Sequence, residues 1–161
     1  MTAGGSEVER DFVDLVEPCL ERVRRAAIAR FGFEIGVEAA AETQVWAWAN
    51  RAQLLEADNP AGLLFRVAQT RAEPHHRWSS RRAPAELVPE STMAAVRPEL
   101  VDLLRALPRL REPERVAVVL VHAHGERYDD VAELLGVTTA AVTNHVHRGL
   151  KKLRTLMEEE R

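Results

Sequence analysis

The densest functional chemistry in this chain lies near its C-terminus. From Leu134 to Met157 there is no Asp or Glu, while Arg148, Lys151, Lys152 and Arg154 are all present and His145 and His147 add further charge capacity. Solvated helix faces normally mix charge signs, so a one-sign stretch of this length fits a polyanion. Its amino end offers small hydrogen-bonding groups, Thr139, Thr143 and Asn144, with Ala140 among them. These suit the base edges of a DNA major groove. The later cations suit phosphates, which supply affinity without sequence information.

A second basic patch, Phe65 to Arg82, holds Arg66, Arg71, Arg77, Arg81 and Arg82 against one acid, Glu73, with Phe65 and Trp78 among them. Cations interleaved with aromatic rings suit single-stranded DNA, whose phosphates are neutralised while its bases stack. Other chemistries fit less well. The histidines are two apart (His122 and His124, His145 and His147) or adjacent (His75 and His76). Side chains two apart diverge on a helix, whereas paired metal ligands need a spacing of three or four. No cysteine or carboxylate cluster stands beside them, so neither metal nor other cofactor is expected. There is no Gly-rich phosphate loop and no nucleophile elbow, and Cys19 falls on an apolar stripe. The chain is therefore expected not to be an enzyme.

Helices must position these residues. Val131, Leu134 and Leu135 form the apolar side of a short helix that Asp129 or Asp130 can cap. Gly136 can take the positive φ of a tight turn, and Thr138 then caps a longer helix with Val142, Val146, Leu150 and Leu153 inward. Ala132, Gly136 and Val142 complete the pattern of a helix-turn-helix: a close crossing, a turn, and a β-branched residue packed between the helices.

Upstream, Phe12, Leu15, Val16, Cys19, Val23, Ala26 and Ala27 make an amphipathic stripe. A break or kink is expected at Pro18 and an end at Gly32. Val37, Ala41, Val45, Trp48, Ala52 and Leu55 read as the inner stripe of the next helix. Trp46 lies about 200° from Trp48 around that helix, which sends it outward with Glu42, Asn50 and Gln53 as an exposed interface anchor. Asn59 and Pro60 open a helix with Leu63, Leu64, Val67 and Ala68 on one face. Pro74 is expected to stop it by about residue 73.

Residues 79–96, with Pro84, Pro89 and paired serines, read as a flexible linker with at most one helical turn. Helices then resume at Pro98, with Leu100, Leu103, Leu104 and Leu107 on one face. Glu112-Pro113 opens the next, with Val116, Val119, Leu120 and Ala123 inward and Gly125 as the stop. Nothing alternates with a period of two. The expected fold is all-α, with two small helical domains (6–78 and 97–161) joined by the linker, the second a helix-turn-helix.

Composition sets the outer bounds. In 161 residues, 22 Lys and Arg stand against 25 Asp and Glu for a net charge of −3, so any DNA contact must be locally basic. The hydrophobic share of 46% with 29% charged residues is that of a soluble globular chain. The longest strongly apolar run, Val116 to Val121, is too short for membrane insertion. No signal peptide is visible at the N-terminus, and the single Cys19 excludes an internal disulfide. A cytoplasmic setting is expected.

The passage GERYDDVAELLGVTTAAVTNHVHRGLKKLR resembles the C-terminal domain of the extracytoplasmic-function (ECF) sigma factors of bacterial RNA polymerase. The preceding LRALPRLREPERVAVVLVHAHG resembles the helices leading into that domain. DFVDLVEPCLERVRRAAIARFG, EAAAETQVWAWANR and NPAGLLFRVAQTRA are similar to the family's first domain. The resemblance implies a dissociable polymerase subunit that directs transcription initiation at specific promoters. Its partners are then core RNA polymerase, promoter DNA and a regulator of the anti-sigma kind, and its place is the bacterial nucleoid. The first domain would meet polymerase through Glu42, Trp46 and Asn50, and the minus-10 element through Arg66, Arg71, Arg77 and Trp78. The second would read the minus-35 element through Thr138, Thr139, Thr143, Asn144, His145 and Arg148, with Lys151, Lys152 and Arg154 on phosphates. The sequence departs from the family pattern at Thr70, where an asparagine is expected, and at Pro74, where an aspartate is expected. Two alternatives follow: a stand-alone helix-turn-helix regulator, and a sigma-like interaction protein that has lost promoter melting.

Overall fold

The computed structural model describes residues 3–79 and 86–159, with side chains for 5–75 and 86–159. The side chains of Arg77 and Trp78, and all of Arg81 and Arg82, lie outside the described residues. All regular structure among those described is helical.

Helix α1 (Ala3–Phe31) buries Phe12, Val16, Val23, Ala26, Ala27 and Ala29 and ends at Gly32, whose φ is 90°. It runs through Pro18 without the expected break. Proline removes the partner of the Asp14 carbonyl, but Asp14 and Pro18 are both on the exposed side, where water can replace it. The expected stop at Pro74 is missing for the same reason. Helix α4 (Pro60–Ser79) continues past it, and Thr70, four residues back, is exposed. The start of α4 is as expected, with Asn59 Oδ1 accepting the Gly62 N–H at 2.8 Å.

Helix α2 (Phe33–Ala49) is rotated from the expected register. It buries Gly36, Ala39, Ala40, Thr43 and Ala47. A Cβ on Gly36 would lie 2.5 Å from the Ile28 backbone, so α2 lies almost on the main chain of α1, and only small residues fit between them. Thr43 is satisfied there, its Oγ1 donating to Ala39 O at 2.7 Å. The larger apolar residues turn outward: Val45 is 71% exposed and Trp48 39%. Trp46, expected outside, is half-buried against the core. Ala41, Ala52 and Leu55 of the expected inner stripe are exposed as well. A short helix, α3 (Arg51–Leu55), inserts Leu54 and leads to α4.

Within the linker, α5 (Glu90–Met93) is a single helical turn. Helices α6 (Pro98–Ala106) and α7 (Glu112–Val118) begin at their expected prolines. A π-helical turn, Val119–Ala123, leads through Gly125, with φ of 69°, into α8 (Tyr128–Leu135) and α9 (Thr139–Glu159).

The two halves pack on each other, which the sequence reading did not anticipate. One buried cluster runs through both, from Phe12, Val23 and Leu64 to Val116, Leu120, Val131 and Leu134. A smaller one under the C-terminal half joins Leu107, Leu110, Val118, Leu153 and Leu156. Arg115 fastens the seam. It is 6% exposed, and its guanidinium donates to Ala29 O at 2.7 Å, Arg30 O at 2.9 Å and Leu110 O at 3.1 Å. Ala29 and Arg30 belong to the last turn of α1, whose carbonyls have no partner within their own helix. The Phe33 N–H, which would otherwise continue that ladder, donates instead to Glu86 O at 2.7 Å.

Candidate nucleic-acid interface

The helix-turn-helix is built by local chemistry. Gly136 closes α8 in the left-handed region with φ of 66°, at no steric cost. Its N–H and that of Val137 reach back to Glu133 O and Ala132 O. Thr138 then caps α9, its Oγ1 accepting the Ala141 N–H at 3.1 Å. At the start of α8, Asp129 lies in the first turn. Its carboxyl is held below the ordinary carboxylate range, first by a backbone N–H and also by Arg127. Between the helices sit Val131, Ala132, Leu134 and Val142, all buried.

Helix α9 turns Val142, Val146, Gly149, Leu153 and Leu156 inward. Gly149 takes the place expected for Leu150, which is 38% exposed. The reason is proximity: a Cβ at 149 would stand 2.6 Å from Val118 Cγ2 and 3.2 Å from Glu114 O. Only a glycine lets α9 lie that close to α7.

On the opposite face, Thr139, Thr143, Asn144, Arg148, Lys151, Lys152 and Arg154 are all exposed, as is the capping Thr138. Asn144, Arg148 and Lys151 recur at three- and four-residue steps along the centre of that face. Among the described residues none of the four cations makes an ion pair. The hydroxyl of Thr143 donates to Thr139 O at 3.0 Å and keeps its oxygen as an acceptor. His145 departs from the group. It is half-buried and lines a crevice of about 220 Å³ with Arg30, Phe65, Gln69 and Val137.

Of the second basic patch, Arg66 and Arg71 are exposed on α4, but Phe65 is 2% exposed and belongs to the core, so it offers no ring for stacking. Arg71 approaches Glu42 of α2 at 3.9 Å, with both side chains nearly half exposed. Thus one residue expected at polymerase and one expected at the minus-10 element meet. Asn50 closes α2 by donating its side-chain amide to Trp46 O at 2.9 Å. Alongside, α1 and α2 frame an open groove of about 460 Å³ lined by Leu20, Val37, Ala41 and Gln44 together with Glu17, Glu21 and Arg24. The exposed apolar surface of Val45 and Trp48 was missed from the sequence. The signal that locates it is the small-residue spacing of Gly36, Ala39, Ala40, Thr43 and Ala47, which marks the inner face by exclusion.

Fold and site define a two-part helical protein ending in a helix-turn-helix, and residues 100–153 match the family described as Sigma-70, region 4. The resemblance to ECF sigma factors therefore stands. Over 76 residues the chain is 34% identical to the RNA polymerase sigma factor CarQ of Myxococcus xanthus, a match covering 47% of this chain and 42% of that protein. The chain thus aligns with less than half the length of that relative. In fold it is similar to the sigma factor RpoE of Bartonella quintana, solved in complex with the anti-sigma factor NepR. The TM-score is 0.65 at 21% identity, covering 94% of this chain and 99% of the other.

Proposed function

We propose that this protein is a sigma factor: it binds core RNA polymerase and directs it to specific promoters. The observation that carries the reading is α9, capped by Thr138 and closely seated through Gly149, whose exposed side carries hydrogen-bonding groups and four cations with no acid before Glu158 and, among the described residues, no ion pair to those cations. Asn144 and Thr143 are the groups that suit base edges, while Arg148, Lys151, Lys152 and Arg154 suit phosphates. His145 reaches a groove only from the edge of that face. In the first half, Arg66 and Arg71 face solvent for a second DNA contact, the minus-10 element. Polymerase docks on α2, where Glu42, Val45 and Trp48 are exposed. Trp48, not Trp46, is the aromatic anchor, and Asn50 supports the helix end. The protein acts without chemistry of its own, needs no cofactor, and works in the cytoplasm at the nucleoid. No described helix is long and apolar enough to cross a membrane. By likeness to RpoE, a protein of the anti-sigma kind is its regulator.

A sigma-like binder without promoter melting is the second reading. Thr70 favours it, because a threonine stands where the family pattern has an asparagine and, with its hydrogen given to Arg66 O at 3.1 Å, it offers DNA an acceptor but not the donor an asparagine amide would add. Gel filtration with core RNA polymerase tests the main proposal. Co-elution that is lost in Trp48→Ala but kept in Lys151→Ala is expected, and no co-elution of the folded wild type overturns it.

A further inference from the structure

The chain carries 22 Lys and Arg, and only two of them, Lys151 and Lys152, are lysine. Both are exposed on α9, beside Arg148 and Arg154. Every other side-chain cation of that kind is an arginine, and several arginines are fixed in place. Arg115 is held by three carbonyls, Arg22 by Glu126 at 3.2 Å and Asp130 O at 2.8 Å, and Arg30 by Glu112 at 2.6 Å. A guanidinium keeps its charge and forks onto oxygen acceptors. A lysine amine, once deprotonated, is a nucleophile, and acylation removes its charge altogether. The two cations that can be switched off chemically therefore both lie on the helix read as the DNA contact.

Helix α9 leaves both amines open. Residues three and four apart are neighbours on a helix. Around Lys151 these are His147, Arg148, Arg154 and Thr155, and around Lys152 they are Arg148, Gly149, Thr155 and Leu156. None is acidic, and among the described residues neither lysine makes an ion pair. A row of cations without counter-charge also raises the local concentration of small anions.

We propose that Lys151 and Lys152 form an acylation site for an acyl phosphate, and that acylating them releases α9 from DNA. The effect on DNA rests on the promoter reading above; the reaction at the amines does not. The lone pair of the neutral Nζ attacks the acyl carbonyl carbon, and a C–N bond forms. The C–O bond to the phosphoryl group breaks, and inorganic phosphate leaves with its electron pair. The proton lost from the amine passes to solvent. The product is a neutral amide, so two of the four cations of this face are removed while Arg148 and Arg154 remain. The donor is an anion drawn by the same field that draws a phosphate backbone, so DNA and donor compete for one surface.

Each phosphate contact contributes about 0.9 to the slope of log affinity against log salt. Losing two makes the slope shallower by about 1.8. Measured from 1 M salt, where counterion release contributes nothing, that is about a 60-fold loss of duplex affinity at 0.1 M.

The test uses the full-length wild type and the double variant Lys151→Arg/Lys152→Arg, with acetyl phosphate as donor. Nα-acetyl-lysine amide in the same tube serves as an unplaced amine. Mass spectrometry of peptides gives the sites and rates, and anisotropy gives the affinity for a random-sequence duplex pool over a salt series. At low salt Lys151 and Lys152 should be acetylated several-fold faster than the free amine, and saturating duplex should protect them. At 1 M salt the advantage should vanish. The acetylated wild type should bind duplex about 60-fold more weakly at 0.1 M salt. The double variant, whatever its starting affinity, should not change on treatment.

Acetylation no faster than that of the free amine at low salt overturns the site. So does full acetylation of both lysines with duplex affinity unchanged, or an equal loss of affinity in the treated double variant. An untreated, folded wild type that binds no duplex overturns the DNA reading and with it the proposed release, while the acetylation rates still report on the site. The two failures are thereby distinguished.

Discussion

Arg115→Met removes the charged head from the seam while keeping most of its aliphatic stem. Three hydrogen bonds are lost, to Ala29 O, Arg30 O and Leu110 O. Each hydrogen bond from a charged group contributes about 1.5–3 kcal/mol. Their simple sum overstates the effect, because the variant also escapes the cost of burying a guanidinium. That cost is visible in the arginine itself, whose pKa is lowered first of all by desolvation and only partly restored by Glu112. The remaining loss, dominated by orphaned carbonyls at the end of α1, is about 3–4 kcal/mol. For a chain of this size one kcal/mol moves Tm by about 2–4 °C, so a drop of about 10 °C is expected. Circular dichroism melts at matched concentration give the reading. Arg115→Lys should fall nearly as far, since an ammonium cannot fork to three carbonyls on two elements. A loss under about 2 °C in Arg115→Met, corresponding to less than about 1 kcal/mol, would mean that the three hydrogen bonds do not hold the halves together.

The tryptophans should behave oppositely: Trp46→Ala costs about 2–3 kcal/mol through a partial cavity. Trp48→Ala costs about 1 kcal/mol by losing its edge contact with Phe12 at 5.0 Å but abolishes polymerase binding; melts and gel filtration read the pair. Asn144→Ala should weaken cognate DNA by about 1–3 kcal/mol and relax preference at one or two base pairs. Lys151→Ala should weaken all sequences alike and flatten the salt dependence, as anisotropy titrations over a salt series will show. Gly149→Ala gains about 1 kcal/mol of helix propensity and loses about 1–3 to overpacking against Val118 and Glu114. Stability should therefore fall by up to about 2 kcal/mol, and DNA affinity should fall with it, because α9 is displaced.

The helix-turn-helix was legible because its determinants are local. Gly136 needs a left-handed turn and Thr138 needs the N–H of Ala141, and both requirements lie within a few residues. Helix α2 was legible as a helix but not in rotation. Hydrophobicity ranks Val45 and Trp48 above Gly36 and Ala40, whereas close approach of two backbones selects the smaller residues. The two prolines misled for a related reason. Pro18 and Pro74 break helices where the lost hydrogen bond is buried, and here each lies on an exposed face. The seam could not be read at all. Arg115 and Arg22 look like ordinary surface charges in the sequence, and only the folded chain places their guanidinium groups beside carbonyls of α1 and α8. Of the expected site, the residues of α9 expected at a groove are exposed together, while His145 is half-buried at their edge and Phe65 is withdrawn into the core.

Promoter direction through polymerase is read out by transcription from a randomised promoter library. Core RNA polymerase is supplied with the wild type or with Asn144→Ala, and the transcripts are sequenced. Discrete start sites are expected with the wild type, preceded by two enriched elements, with altered preference in Asn144→Ala confined to the upstream element. Transcription no different from that of core polymerase alone would contradict promoter direction.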